Sequence, residues 1–134
     1  MFKSYVYIIK DKKTGYYKIG KSNNFFRRFS QIVGFFTFLK LDYKNSFFIK
    51  LNNEQEALQL EKILHDTFRQ KHISSKKAPY YDGRTEWFYL NEEDLNFIKI
   101  EIKKQFGLKM KNIGLFKYFL HFFIKNRLMF NLVY

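Results

Sequence analysis

No cysteine occurs among the 134 residues of the chain. This absence excludes a disulfide framework and any zinc site built from thiolates. The sequence also contains no internal repeat, and its first four residues run directly into a strand-like segment. That start leaves no room for a secretory signal, so we expect an intracellular protein, in the host cytoplasm or nucleus if the source is a virus.

Acidic residues are scarce relative to basic ones. The chain carries 12 Asp and Glu against 25 Lys and Arg, which gives a net charge of +13 and a pI of about 9.8. An excess of this size favours a polyanion as partner, because lysine and arginine neutralise phosphates and release their counterions. The alternative is a basic surface that serves only solubility. The length predicts a single folded domain with a modest core.

The end of the chain differs from the rest, since no acidic residue follows Glu101. We therefore divide the sequence into a domain over residues 1–105 and a basic, aromatic tail over residues 106–134. Charges interrupt the tail too often for a membrane span, which needs about 20 mostly apolar residues. The tail is predicted to be an amphipathic helix, which docks on the domain, lies on a membrane surface or binds nucleic acid, or else to be partly disordered.

Two strand-like runs near the start, Tyr5–Ile9 and Tyr16–Gly20, predict a β-hairpin. The residues 11–15 between them have turn-forming chemistry, and the runs are rich in β-branched and aromatic side chains. Alternation along each strand should bury aliphatic side chains on one face and hold Tyr7 and Lys18 at a fixed separation on the other. The hairpin is thus a rigid support for a phenol and an ammonium group.

The middle of the chain predicts a helix and then further strands. Ser22 and its neighbours can cap a helix that begins near Phe25 and carries Arg27 and Arg28. The aromatic stretch over residues 35–51 predicts strands around a loop at residues 42–45.

A second helix is predicted from a cap at Asn53 to about Gln70. Glu61 lies at the border of its apolar stripe, where a carboxylate has either an ion-pair partner or a function. His65, one turn later, is either a metal ligand, a base or a packing residue.

The remaining elements complete an α/β domain. A loop over residues 71–84 contains Lys76 and Lys77, which either touch a nucleic-acid strand or are simply solvated. A strand over residues 85–90 contains Trp87, as core residue or stacking platform, and a closing helix spans residues 92–105. We expect a small mixed or antiparallel β-sheet flanked by helices.

Several motifs occur in an order that resembles the GIY-YIG nuclease superfamily, and most closely its compact phage, viral and bacterial subgroup with KIG in place of YIG. In chain order these are Val6-Tyr7-Ile8, Lys18-Ile19-Gly20, Ser22, Arg28, Glu61 and Glu86-Trp87-Phe88. The resemblance covers residues 5–90. It implies a metal-dependent DNA endonuclease in which Tyr7 is the general base or positions the attacking water. Lys18 stands where better-known members carry a second tyrosine, and the adjacent Tyr17 should face the other way.

The chemistry of phosphodiester hydrolysis needs an activated water and a group that neutralises charge on the phosphoryl oxygens. A Mg²⁺ or Mn²⁺ ion held by Glu61 would meet both needs, and Arg28 would hold two phosphate oxygens with its planar fork. The phenol of Tyr7, with an ordinary pKa of about 10, needs a nearby cation, which Lys18 or the metal supplies. We expect no small-molecule cofactor.

DNA is the expected partner, with Lys21, Ser22, Arg27, Lys76 and Lys77 as further contacts. A noncatalytic nucleic-acid-binding module on the same scaffold is the alternative. A virulence or membrane-surface protein acting through the tail is a third possibility, although a membrane partner is not expected. A composition rich in Lys, Asn, Phe and Ile is typical of a virus, a phage or a low-GC bacterium.

Overall fold

The computed structural model describes residues 3–23, 40–79 and 86–113. Within these ranges the strands are β1 (Ser4–Asp11), β2 (Tyr17–Ser22), β3 (Leu41–Leu51), β4 (Trp87–Phe88) and β5 (Lys111–Asn112). The helices are α1 (Glu54–Thr67) and α2 (Glu92–Phe106), with a short 3-10 turn at Arg69–Lys71. The five strands form one antiparallel sheet in the order β4-β2-β1-β3-β5. This confirms the predicted α/β fold. The predicted helix near residue 25 and residues 114–134 of the predicted 106–134 tail lie outside the described residues.

The predicted hairpin is present as β1 and β2. The Asp11 carboxylate accepts hydrogen bonds from the backbone N–H (2.9 Å) and the hydroxyl (2.6 Å) of Thr14. Gly15 has a φ of 74°, a left-handed conformation that favours glycine. Local turn chemistry therefore fixes the register, in which Tyr7 lies opposite Gly20 and Ile9 opposite Lys18.

The hydrophobic core lies on one face of the sheet, which we call the helix face. Val6, Ile8 and Ile19 are fully buried there together with residues of both helices. The helices contribute Ala57, Leu60, Leu64, Ile98 and Ile102 to this cluster. The opposite side, which we call the tyrosine face, carries Tyr7, Ile9 and Lys18, because strand residues alternate between the two sides. These three side chains are also buried.

The predicted loop at residues 42–45 is wrong, because β3 runs through it as a strand with a bulge. The pairing of β1 with β3 shifts between Ile8 and Lys10. Polar side chains stabilise the bulge: the Asn45 amide donates to Asp42 (2.8 Å), and the Ser46 hydroxyl accepts from the Lys10 backbone N–H (2.9 Å). The same residues that predict a loop thus form hydrogen bonds where the pairing of β1 with β3 is interrupted.

Side-chain caps define the helix starts. The Asn53 side chain accepts from the Glu56 backbone N–H, and Asn91 forms a full capping box with Asp94. Helix α1 ends at Thr67, before the predicted Gln70, and continues as the 3-10 turn. Over the described parts of the chain, neither helix has the length and apolar character needed to cross a membrane.

Candidate active site

On the tyrosine face, the ring of Tyr7 lies directly across Gly20. A β-carbon built on Gly20 would be 2.2 Å from the Tyr7 hydroxyl oxygen and 2.4 Å from its Cζ. Lys18 is a diagonal neighbour of Tyr7, at the roughly 7–8 Å separation that antiparallel strands give such pairs. Tyr7 is 2% exposed and Lys18 is fully buried. The structure therefore brings the phenol and the ammonium group together on one support.

We expect Gly20→Ala to lower the free energy of unfolding by at least about 1–3 kcal/mol, because the new methyl group overlaps the Tyr7 ring. In a Tyr7→Ala background the same change should cost little, so a double-mutant cycle measured by urea unfolding should show strong coupling. Gly107→Ala is the control. Gly107 has a φ of 66°, and a β-carbon added there would meet no atom within 4 Å. The cost of alanine at this position therefore comes from the backbone conformation alone and should be equal in both backgrounds.

Tyr17 belongs to the helix face, as the alternation predicts. It pairs with Lys10 and Phe88 and is buried in the core cluster. Burial raises the pKa of its phenol, and the carboxylates of Asp42 and Glu92 raise it further. Tyr17 therefore lies on the face opposite Tyr7, whereas Lys18 shares the face of Tyr7.

Two side chains of α1 reach the outer edge of β2. β4 is only two residues long and pairs with Tyr17 and Lys18, and just before it the Glu86 carbonyl oxygen accepts from the Ile19 backbone N–H (3.0 Å). His65 Nε2 donates a hydrogen bond to the Ile19 carbonyl oxygen (2.9 Å), and the Glu61 carboxylate accepts from the Lys21 backbone N–H. His65 also makes an edge contact with the Phe88 ring, with centroids 5.0 Å apart. These contacts favour the packing interpretation of His65 over metal ligation.

Glu61 has a second carboxylate as its neighbour. Burial raises the pKa of Glu61, and the negative charge of Glu86 raises it further, against the opposing effects of His65 and Lys21. Glu86 Oε2 is buried, lies 3.8 Å from Lys18 Nζ and accepts no hydrogen bond within the described part of the chain. Glu86 has no role among the predictions made from the sequence. The only signal for it there was its position in the late Glu86-Trp87-Phe88 motif.

The donor set at this edge fits a hard divalent cation. Carboxylate oxygens are the ligands that Mg²⁺ takes, usually one or two from the protein with waters completing the shell. Across residues 3–23, 40–79 and 86–113, no group of three His, Asp or Glu side chains forms a larger metal cluster. Glu61 and Glu86 are the described carboxylates at this edge that could hold such an ion.

The other predicted contact residues lie at varied positions. Lys21 pairs with Glu54 (3.3 Å between Nζ and Oε1), and Ser22 lies opposite Tyr5 on the tyrosine face. Both are therefore next to the edge that carries Glu61. Lys76 and Lys77 are exposed in the turn at residues 75–77. Arg27 and Arg28 lie outside the described residues.

The fold is a small α/β domain in which a buried tyrosine and a buried lysine share one face of the hairpin and Glu61 contacts the edge of β2. A family model for the T5orf172 domain matches residues 4–103, about three quarters of the 134 residues. The chain belongs to the T5orf172 domain family. This family is associated with nuclease-like and DNA-binding functions in phages. No curated protein and no solved structure shows a significant match.

Proposed function

We propose that the protein is a metal-dependent DNA endonuclease of the GIY-YIG type. The observation that carries this proposal is that the side chains of Tyr7 and Glu61 contact consecutive residues of β2. The Tyr7 ring crosses Gly20, and the Glu61 carboxylate accepts from the N–H of Lys21. Adjacent α-carbons are about 3.8 Å apart, so the phenol and the carboxylate contact the chain at neighbouring positions of β2.

Tyr7 takes or positions the proton of the attacking water. A free tyrosine phenol has a pKa of about 10, so a neighbouring cation is needed to make the phenolate accessible at neutral pH. Lys18 lies diagonally across the hairpin and supplies that charge. Glu86, 3.8 Å from the Lys18 ammonium group, orients it. Arg28 provides the bidentate phosphate contact.

Glu61 would hold the divalent cation, and the nearby charge of Glu86 would add to the attraction for it. When bound, the cation activates water and neutralises the charge that grows on the phosphoryl oxygens. The raised pKa of Glu61 supports this assignment, because carboxylates kept partly dry and close together are typical of sites that bind a cation.

The burial of Tyr7 and Lys18 favours one second candidate, a noncatalytic DNA-binding module. Both side chains are at most 2% exposed, which restricts the access of a phosphate to them. Such a module would bind DNA through its basic surface and leave the phosphodiester bonds intact.

Incubation of the purified chain with supercoiled plasmid tests the two functions. We expect nicked or linear plasmid in Mg²⁺ or Mn²⁺ and intact plasmid in EDTA. Gel-shift binding in EDTA should fall steeply with salt in either case, because phosphate contacts release counterions. Salt-dependent binding without cleavage in either metal would exclude the endonuclease and support the binding module.

A further inference from the structure

A basic cleft lies at the edge of the sheet opposite the candidate active site. It has a volume of about 200 Å³, and four lysines line it: Lys3, Lys50, Lys109 and Lys111. We call it the lysine cleft. Of the residues that the structure describes, those in its wall include no carboxylate and no aromatic ring. Four lysines in a wall that holds no described carboxylate attract an anion electrostatically.

The chain after α2 builds this cleft by simple alternation. Gly107 ends α2 in a left-handed conformation (φ 66°) and turns the chain back along the sheet. Leu108 and Met110 then pack against the core, so Lys109 and Lys111 point away from it and are exposed. The lysines are therefore held outward by the packing of their neighbours.

The lysine cleft is aligned with the candidate active site across the tyrosine face. Lys111 lies opposite Phe48, which pairs with Tyr7, which in turn pairs with Gly20. Three strand spacings separate the two ends of this row, or roughly 14 Å. One nucleic acid can span that distance, since it corresponds to about four base-pair steps of 3.4 Å.

We propose that the lysine cleft binds the phosphate backbone of double-stranded DNA and holds it beside the candidate active site. Lysines alone contact phosphates without reading bases, whereas sites for single strands add aromatic rings on which bases stack. The absence of such rings from the described wall of the cleft favours the duplex. This inference rests on the proposed function only in taking the same DNA as ligand.

The test is fluorescence anisotropy with a labelled duplex of about 20 base pairs in EDTA, so that no cleavage occurs. Lys109→Gln/Lys111→Gln should weaken binding about tenfold to thirtyfold near 0.15 M salt and reduce the slope of log affinity against log salt by about 2. The control is Lys12→Gln/Lys13→Gln, an equal charge change in the exposed hairpin turn at the far end of β1. It should leave the salt slope nearly unchanged.

Each outcome decides for or against the cleft. Equal losses in the two variants would assign the effect to overall charge and overturn the proposal, as would unchanged binding in the cleft variant or no binding by the parent. The same measurement with a single-stranded oligonucleotide tests the kind of DNA. If the cleft variant loses affinity for the single strand but not for the duplex, the assignment to duplex DNA is overturned. If the parent binds through the cleft but fails to cut plasmid, the endonuclease proposal fails and the cleft stands. Unfolding midpoints should agree among all three proteins, since the substituted side chains are exposed.

Discussion

Glu61→Gln should abolish metal-dependent cleavage while the protein becomes more stable. The amide keeps an oxygen that can accept from the Lys21 N–H, but it loses the negative charge that holds a cation. Replacing partners outside the ligand shell costs about 10- to 100-fold in metal affinity or activity, and loss of the ligand itself should cost more. Plasmid cleavage over a Mg²⁺ titration measures this loss.

The gain in stability follows from the raised pKa of Glu61. Burial, and next the Glu86 carboxylate, disfavour its ionised form in the folded state. A carboxyl with a higher pKa folded than unfolded stabilises the fold when protonated, and that stabilisation is lost as the pH rises through the folded pKa. Glu61→Gln should therefore raise the unfolding midpoint at pH 7, and the difference should vanish below about pH 4.

Thermal unfolding in the presence of Mg²⁺ measures metal binding independently of cleavage. Added Mg²⁺ should raise the unfolding midpoint of the parent, because a ligand that binds only the folded state stabilises it, and have little effect on the variant. Glu93→Gln, an exposed carboxylate in the first turn of α2, should behave as the parent in both assays. A Glu61→Gln protein that cleaves as fast as the parent would remove Glu61 from metal binding.

Tyr7→Phe should reduce the single-turnover cleavage rate by about 10² to 10⁴, the usual contribution of a general acid or base. The change removes one oxygen and keeps the ring over Gly20, so the packing is preserved. Affinity for DNA should hardly change, and the free energy of unfolding should change by about 1 kcal/mol, as for one hydrogen bond. Cleavage and binding are to be measured in the same buffer.

Tyr17→Phe provides a matched control for this prediction. Both tyrosines are buried in the same hairpin, but Tyr17 lies on the helix face and Tyr7 on the tyrosine face. We expect Tyr17→Phe to cleave at the parent rate. Parallel losses of binding and cleavage in Tyr7→Phe would indicate a packing role, and equal rates for parent and Tyr7→Phe would exclude the phenol from the chemistry.

Features that depend on neighbours along the chain could be predicted from the sequence. The hairpin follows from turn residues between alternating strands, and Asn53 and Asn91 mark both described helix starts through their caps. The period of two also predicts that Lys18, rather than Tyr17, shares a face with Tyr7. The bulge in β3 was missed because Asp42 and Asn45 have the same chemistry in a loop as in an interrupted strand.

The sequence by itself thus determined the strand faces, the helix caps and the shared face of Tyr7 and Lys18, because each depends on backbone periodicity or on contacts within a few residues. Only the tertiary structure decided that Glu86 lies beside Glu61 and that four separate lysines line one cleft. These neighbours come from distant segments. The order of strands in the sheet brings them together, and that order is set by burying the helix face as a whole.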